Sequence, residues 1–265
     1  MTVSKKEKLE SILKELDSIV VAYSGGVDST FLLHTAHSIR RLRVIGVTIR
    51  TPYIPSREMS ETVEFTTDYG IDHDIIDIPF PEVIRDNPPD RCYLCKKTLF
   101  KTLKKYAATN GYAHVIDGSN ADDSGVFRPG LKALAELGIR SPLMEAGLTK
   151  EEIRSLSKKA GLPTWDKPAL ACILTRIPYG TTIEDKALRM VEEAEYYMYD
   201  QGYPGTRIRI HGDLARIECP FEYFERIMTT GEREQISAAL RKIGFRYITL
   251  DIEGYRSNDS NTKTD

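Results

Sequence analysis

The stretch that most constrains this chain is Ser18–Leu33, SIVVAYSGGVDSTFLL. β-Branched and aromatic residues from Ser18 to Tyr23 make a short apolar run, Ser24-Gly25-Gly26 interrupts it, and Thr30–Ala36 continues as an apolar, helix-like segment. The pattern predicts strand, tight loop and helix, with Asp28-Ser29-Thr30 supplying N-cap chemistry. Glycines let the backbone turn sharply, so successive amide N–H groups and the positive end of the helix converge beyond the strand. That point suits an anion, above all phosphate. The loop carries neither the Gly-Lys-Ser/Thr of a Walker A sequence nor Gly-x-Gly-x-x-Gly, so both common nucleotide patterns are excluded.

The flanking chain predicts the sheet around this loop. Lys5–Leu16 reads as a helix with Leu9, Ile12, Leu13 and Leu16 at helical spacing. Strands are expected at Arg43–Ile49, Asp72–Ile78 and His114–Asp117, with helices at Ser56–Tyr69 and Leu94–Thr109. Such alternation implies an α/β fold, a parallel, doubly wound sheet with helices on both faces, whose ligands lie beyond the carboxyl ends of the strands. The Ser24 loop, Thr48 at the end of the second strand, and the Gly118 turn leading to Asp123 all fall on that edge.

Thr149-Lys150-Glu151-Glu152 is a capping box that opens a helix ending near Ala160-Gly161. The prolines of Leu162–Pro168 predict an extended segment, and Cys172–Gly180 continues that loop. Beyond it, Ile183–Gln201 reads as a helix and Thr206–His211 with Leu214–Glu218 as a hairpin across Gly212-Asp213. Helical segments from Phe221 to Ile243 are expected to break near Gly231, and Phe245–Asp251 to form a last strand. The expected division is a nucleotide-binding domain over 1–180, a small α+β domain over 181–257 and a disordered polar tail over 258–265.

A net charge of −2 gives no bulk attraction to nucleic acid. The N-terminal segment is Lys/Glu-rich without an apolar signal core, and no stretch has the length of a membrane span, so a cytoplasmic protein without a membrane partner is expected. In a reducing compartment its four cysteines suit metal binding or catalysis better than disulfides.

Cys92-Tyr93-Leu94-Cys95 stands at a predicted helix start, where the positive helix end favours thiolates. No second pair completes a zinc site; Cys172 and Cys219 stand alone. Cys92, Cys95 and Cys172 together suit an iron–sulfur cluster with one iron lacking a protein ligand, persulfide or disulfide chemistry, or zinc or inert thiols. Cys219 reads as a small buried hydrophobe. Alternation over Thr206–His211 puts Arg207 and Arg209 on one strand face, as a phosphorylated or carboxylated ligand would need and as a solvated face with surface ion pairs also produces.

Ser-Gly-Gly-Val-Asp-Ser resembles the signature of the PP-loop, or N-type, ATP pyrophosphatases. Together SGGVDST, TPYIPSRE, CYLCKK, DGSNADD, GLTKEEIRSLSKKAGLPTWDKPALACILTRIPYG, RIRIHGDLARIE and FRYITLDIEGYRS resemble the LarE family of ATP-dependent sulfur transferases, from about Lys6 to Ser257. The resemblance implies adenylation of a carboxylate of pyridinium-3,5-biscarboxylic acid mononucleotide by ATP and Mg²⁺, then sulfur attack that yields a thiocarboxylate for a nickel-pincer nucleotide cofactor. Family members with only the equivalent of Cys172 sacrifice its sulfur. With Cys92 and Cys95 added, this chain resembles the branch that carries sulfide on a four-iron (4Fe-4S) cluster.

The implied roles are nucleotide binding at Ser24, Gly25, Gly26, Val27, Asp28, Ser29, Thr48 and Asp123, with Asp28 orienting Mg²⁺. Catalysis falls to Cys172, Asp28 and Arg176, substrate or phosphate contact to Lys96, Arg207 and Arg209, and metal ligation to Cys92, Cys95 and Cys172. A nucleotide substrate, a sulfide or other sulfur donor and a homo-oligomer are the expected partners. The tail departs from the family's Gly-Ser-Met-Asn after GYRS. A tRNA thiolase of the same superfamily and a non-catalytic nucleotide-binding protein with a structural metal site are the alternatives; the first calls for a basic surface that the charge balance does not supply.

Overall fold

The computed structural model describes residues 4–125, 129–168 and 172–256. Two compact units emerge: Met1–Ile84 with Pro89–Leu170, and Arg85–Pro88 with Ala171–Asp265. The expected polar tail over 258–265 lies outside the described residues.

In the first unit α1 (Lys5–Lys14) precedes β1 (Ser18–Ala22), α2 (Val27–His37), β2 (Arg43–Arg50), α3 (Ser56–Asp68) and β3 (His73–Asp77). Then come α4 (Arg91–Thr109), β4 (His114–Ile116), α5 (Pro129–Glu136), α6 (Pro142–Ala146) and α7 (Lys150–Lys159). The strands form a parallel sheet in the order β3-β2-β1-β4, with Val20 opposite Ile45 and Val115. Side chains alternate across β1: Ile19 and Val21 join α1, α2, α6 and α7 in one buried cluster, while Val20 joins Phe100 and Leu103 of α4 and Leu134 of α5 in the other. The doubly wound α/β expectation therefore holds.

The local differences have local causes. The N-cap of α2 is Gly26, with no side-chain cap, so Asp28, Ser29 and Thr30 lie in the helix rather than before it. The segment after α7 is turned, not extended: Trp165 N–H donates to Leu162 O and Lys167 N–H to Thr164 O. Pro163 sits second in the first of these turns, where its fixed φ is an advantage. The pre-proline rule constrains only the residue before each proline, so it does not extend the stretch between them. The short helices α5 and α6 were not expected, since eight and five residues are too few to display a helical period. The Thr149 capping box is present with both reciprocal bonds.

The second unit contains α8 (Asp185–Asp200), β5 (Arg207–His211), β6 (Leu214–Glu218), α9 (Phe224–Ile227), α10 (Thr230–Ile243) and β7 (Tyr247–Leu250). β5 and β6 are antiparallel across Gly212-Asp213, and β7 adds in parallel beside β6. Both α8 and α10 pack here, α8 on β5 and α10 on β7, burying Val191, Ala194, Ile208, Ile217, Ile236 and Leu240. The helical break falls at Met228-Thr229, with Thr229 as N-cap of α10 and Gly231 inside the first turn. Among the described residues no helix is long and apolar enough to cross a membrane.

Candidate active site

The loop after β1 is built to keep a helix end open. Tyr23 N–H donates to Val47 O, which carries the sheet to the edge of the loop. Gly25 turns at φ +71°, and a Cβ there would stand 2.9 Å from the Thr62 methyl. The Ser29 hydroxyl accepts from Ser24 N–H at 3.3 Å, pairs with the Ser24 hydroxyl at 3.1 Å and donates to Gly26 O at 3.2 Å. The loop is thus cross-braced while the first amides of α2 keep no side-chain cap, an arrangement that suits an oxyanion. Gly118, beyond β4, lies against the same turn: a Cβ there would meet Ser29 N at 3.0 Å.

Among the described residues two ammonium groups reach this loop. Lys150, the first residue of α7, places Nζ 2.5 Å from Asp28 Oδ2, and its amide donates to Asp122 Oδ2 at 2.8 Å. The second carboxylate oxygen of Asp28 is buried and has no hydrogen-bond partner among the described residues. Lys167 Nζ donates to Gly25 O at 3.0 Å and pairs with Glu61 of α3. Arg154 of α7 fixes the turn that delivers Lys167, donating to Trp165 O at 2.8 Å and Lys167 O at 2.7 Å.

The remaining expected nucleotide residues divide. Asp123 accepts from Asn120 N–H at 3.0 Å and shapes the loop after β4. The Val27 side chain enters the core, leaving its backbone for the site. Thr48 is buried, its hydroxyl donating to Tyr23 O at 2.8 Å and meeting His73 Nε2 at 2.8 Å, so its side chain braces the strand behind the loop. Lys96 of α4 lays its stem on Gly130 of α5, where a Cβ would come within 2.7 Å of it.

Cys92 and Cys95 stand one turn apart near the start of α4, both as free thiols. Cys92 is exposed; Cys95 is half-buried, and its sulfur lies 3.1 Å from the Tyr53 hydroxyl. The expected helix-end gain loses to burial at Cys95, whose thiol is pushed up by desolvation. Cys219 is a buried free thiol, as a small hydrophobe would be. Among the described residues no group of three or more His, Cys, Asp or Glu side chains is gathered as a metal-binding set.

In the second unit Cys172 is exposed, and its carbonyl accepts from Arg176 Nη1 at 3.1 Å and from the Thr175 hydroxyl at 2.9 Å. Arg176, only 4% exposed, grips Glu195 of α8 with two bonds of 2.8 and 3.0 Å. Glu195 also accepts from Ile208 N–H, and Arg207 approaches it at 4.0 Å. Arg209 donates to Glu218 at 2.6 Å and to Thr175 O at 2.5 Å. The Arg207/Arg209 face is therefore not a solvated one: burial pulls the Arg207 guanidinium below its ordinary range, and Arg209 braces the segment that carries Cys172.

Lys150, Lys167, Glu61, Arg154, Tyr53 and Glu195 escaped the sequence reading. Only Lys150 carried a local signal: a cation at a helix start opposes the macrodipole and calls for an anion nearby.

No protein-family model matches the chain. It is 38% identical over 98% of both chains to an uncharacterised protein of Synechocystis. It is 36% identical, over 98% of its own length and 96% of the relative's, to the pyridinium-3,5-bisthiocarboxylic acid mononucleotide synthase of Lactiplantibacillus plantarum. A tRNA-specific 2-thiouridylase of Rickettsia massiliae is 30% identical over 57% of this chain and 52% of that protein. A braced SGGVDS loop at an open helix end, and near-complete coverage of a synthase of this kind, place the chain in the LarE family of the PP-loop superfamily.

Proposed function

We propose that this chain activates a carboxylate of a pyridinium mononucleotide with ATP and replaces one of its oxygens with sulfur. The observation that carries the reading is the open α2 terminus with Lys150 and Lys167 at its loop; the name of the Lactiplantibacillus relative supplies the substrate class. The amides of Gly26–Ser29 and the two ammonium groups hold the pyrophosphate end of ATP. The carboxylate attacks the α-phosphorus, an acyl-adenylate forms and pyrophosphate leaves. Sulfide sulfur then attacks the acyl carbon, the C–O bond to AMP breaks, and a thiocarboxylate remains. Activation is needed because a free carboxylate has no adequate leaving group.

The buried Asp28 oxygen without a hydrogen-bond partner among the described residues fits a Mg²⁺ ligand, which would neutralise phosphate charge. The sulfurs of Cys92, Cys95 and Cys172 have the soft donor chemistry of an iron–sulfur cluster. When bound, a cluster with three protein thiolates supplies an open iron for sulfide. Arg176, tied to the Cys172 carbonyl and to Glu195, orients that cysteine, while Arg207, Arg209 and Lys96 are the candidates for the substrate's phosphate or carboxylate. In this reading the chain works in the cytoplasm and self-associates through exposed apolar residues of the second unit such as Phe221, Met228 and Ile252.

Isotope exchange between pyrophosphate and ATP tests the first step. Exchange that depends on a pyridinium dicarboxylate mononucleotide supports it; exchange without that dependence, or none, overturns it. The thiouridylase relatives favour a second reading, thiolation of tRNA. Retention of tRNA at moderate salt with ATP-dependent uridine thiolation would establish that one instead.

A further inference from the structure

The TPYIPSRE stretch supplies a tyrosine that reaches Cys95 near the start of α4. Tyr53 is 2% exposed, its ring packed edge-on against Phe80 at 5.5 Å, and its hydroxyl lies 3.1 Å from Cys95 Sγ. A buried ring with two torsions holds its hydroxyl at a fixed point. Cys92, one turn earlier, is exposed. The two thiols of the CxxC are therefore inequivalent: one sulfur is held and the other faces solvent. A thiolate has no proton to give, so toward a ligating Cys95 the hydroxyl is the donor.

We propose that Tyr53 is a positioning residue for Cys95, fixing the direction of its sulfur and, when that sulfur ligates a cluster, drawing electron density from it. The second half rests on the cluster reading above; the first does not. Hydrogen bonds to ligand sulfurs stabilise the reduced state of an iron–sulfur centre and raise its reduction potential.

The experiment has two arms on the full chain. Before iron is added, Tyr53→Phe, Cys95→Ala and the double variant are unfolded in denaturant. The double variant's unfolding constant should differ from the product of the single changes by about fivefold, the scale of one neutral hydrogen bond. Strict additivity overturns the proposal. After anaerobic loading with iron and sulfide, the midpoint potential of Tyr53→Phe should lie below that of the parent at equal iron content. An unchanged potential overturns the tuning role, which a merely structural tyrosine would not have. If neither chain retains iron, the cluster reading fails, and the first arm alone decides whether Tyr53 holds Cys95.

Discussion

Gly118 offers a stringent test of the site because what surrounds it is backbone. An alanine Cβ there would stand 3.0 Å from Ser29 N, 3.1 Å from Ser29 Cα and 3.4 Å from the Asp28 carbonyl carbon. No side chain can swing away, so the first turn of α2 must move. Overpacking of this kind costs about 1–3 kcal/mol, which in a unit of this size lowers the melting temperature by about 2–12 °C. The shift falls on the Ser29 amide, one of the donors proposed for the phosphates. Losing one hydrogen bond to a charged group, about 1.5–3 kcal/mol, weakens binding roughly ten- to a hundredfold. Calorimetric titration of ATP into Gly118→Ala, with a thermal melt alongside, reads both effects. Gly231→Ala is the control, since nothing lies within 4 Å of a Cβ at that helical position. Wild-type affinity and melting temperature in Gly118→Ala would refute the close approach of β4 to the loop and the role given to Ser29.

Asp28→Ala should abolish pyrophosphate exchange while leaving iron content unchanged, whereas Cys92→Ala, Cys95→Ala and Cys172→Ala should keep exchange and lose thiocarboxylate; full product yield in all three would defeat the sulfur assignment. Glu195→Ala leaves the buried Arg176 charge uncompensated and should destabilise the chain by about 3–5 kcal/mol, measured by denaturant unfolding, with Glu195→Gln milder because it still accepts hydrogen bonds. Burial pushes the Cys219 thiol up to about 11, so near neutral pH it stays protonated. Iodoacetamide should therefore label exposed Cys92 and Cys172 in the native chain and reach Cys219 only on unfolding, as peptide mass mapping would show.

Where the sequence reading succeeded, the signal was local or periodic. Alternating apolar runs predicted the parallel sheet, Thr149 and Glu152 their capping box, and Gly212-Asp213 the hairpin. Where it fell short, a local rule met a stronger competitor. Proline favoured a turn at Pro163, burial outweighed the helix end at Cys95, and an unbranched glycine capped α2 in place of the expected polar residues. The arginine face of β5 was legible as alternation, but alternation could not tell a buried ionic brace from a wet surface.

The chain's order of residues alone determined that a glycine loop would stand between a strand end and a helix start in a parallel α/β sheet, because glycine freedom, β-branching and helix periodicity act within a few residues. Folding decided which distant charges meet there. Asp28 and Lys150 are 122 positions apart, Gly25 and Lys167 are 142 apart, and Tyr53 and Cys95 are 42 apart. Long side chains carry no local sign of their partners, so only packing of α7 and its turn against the loop, and of Tyr53 beneath α4, could bring those groups within bonding distance.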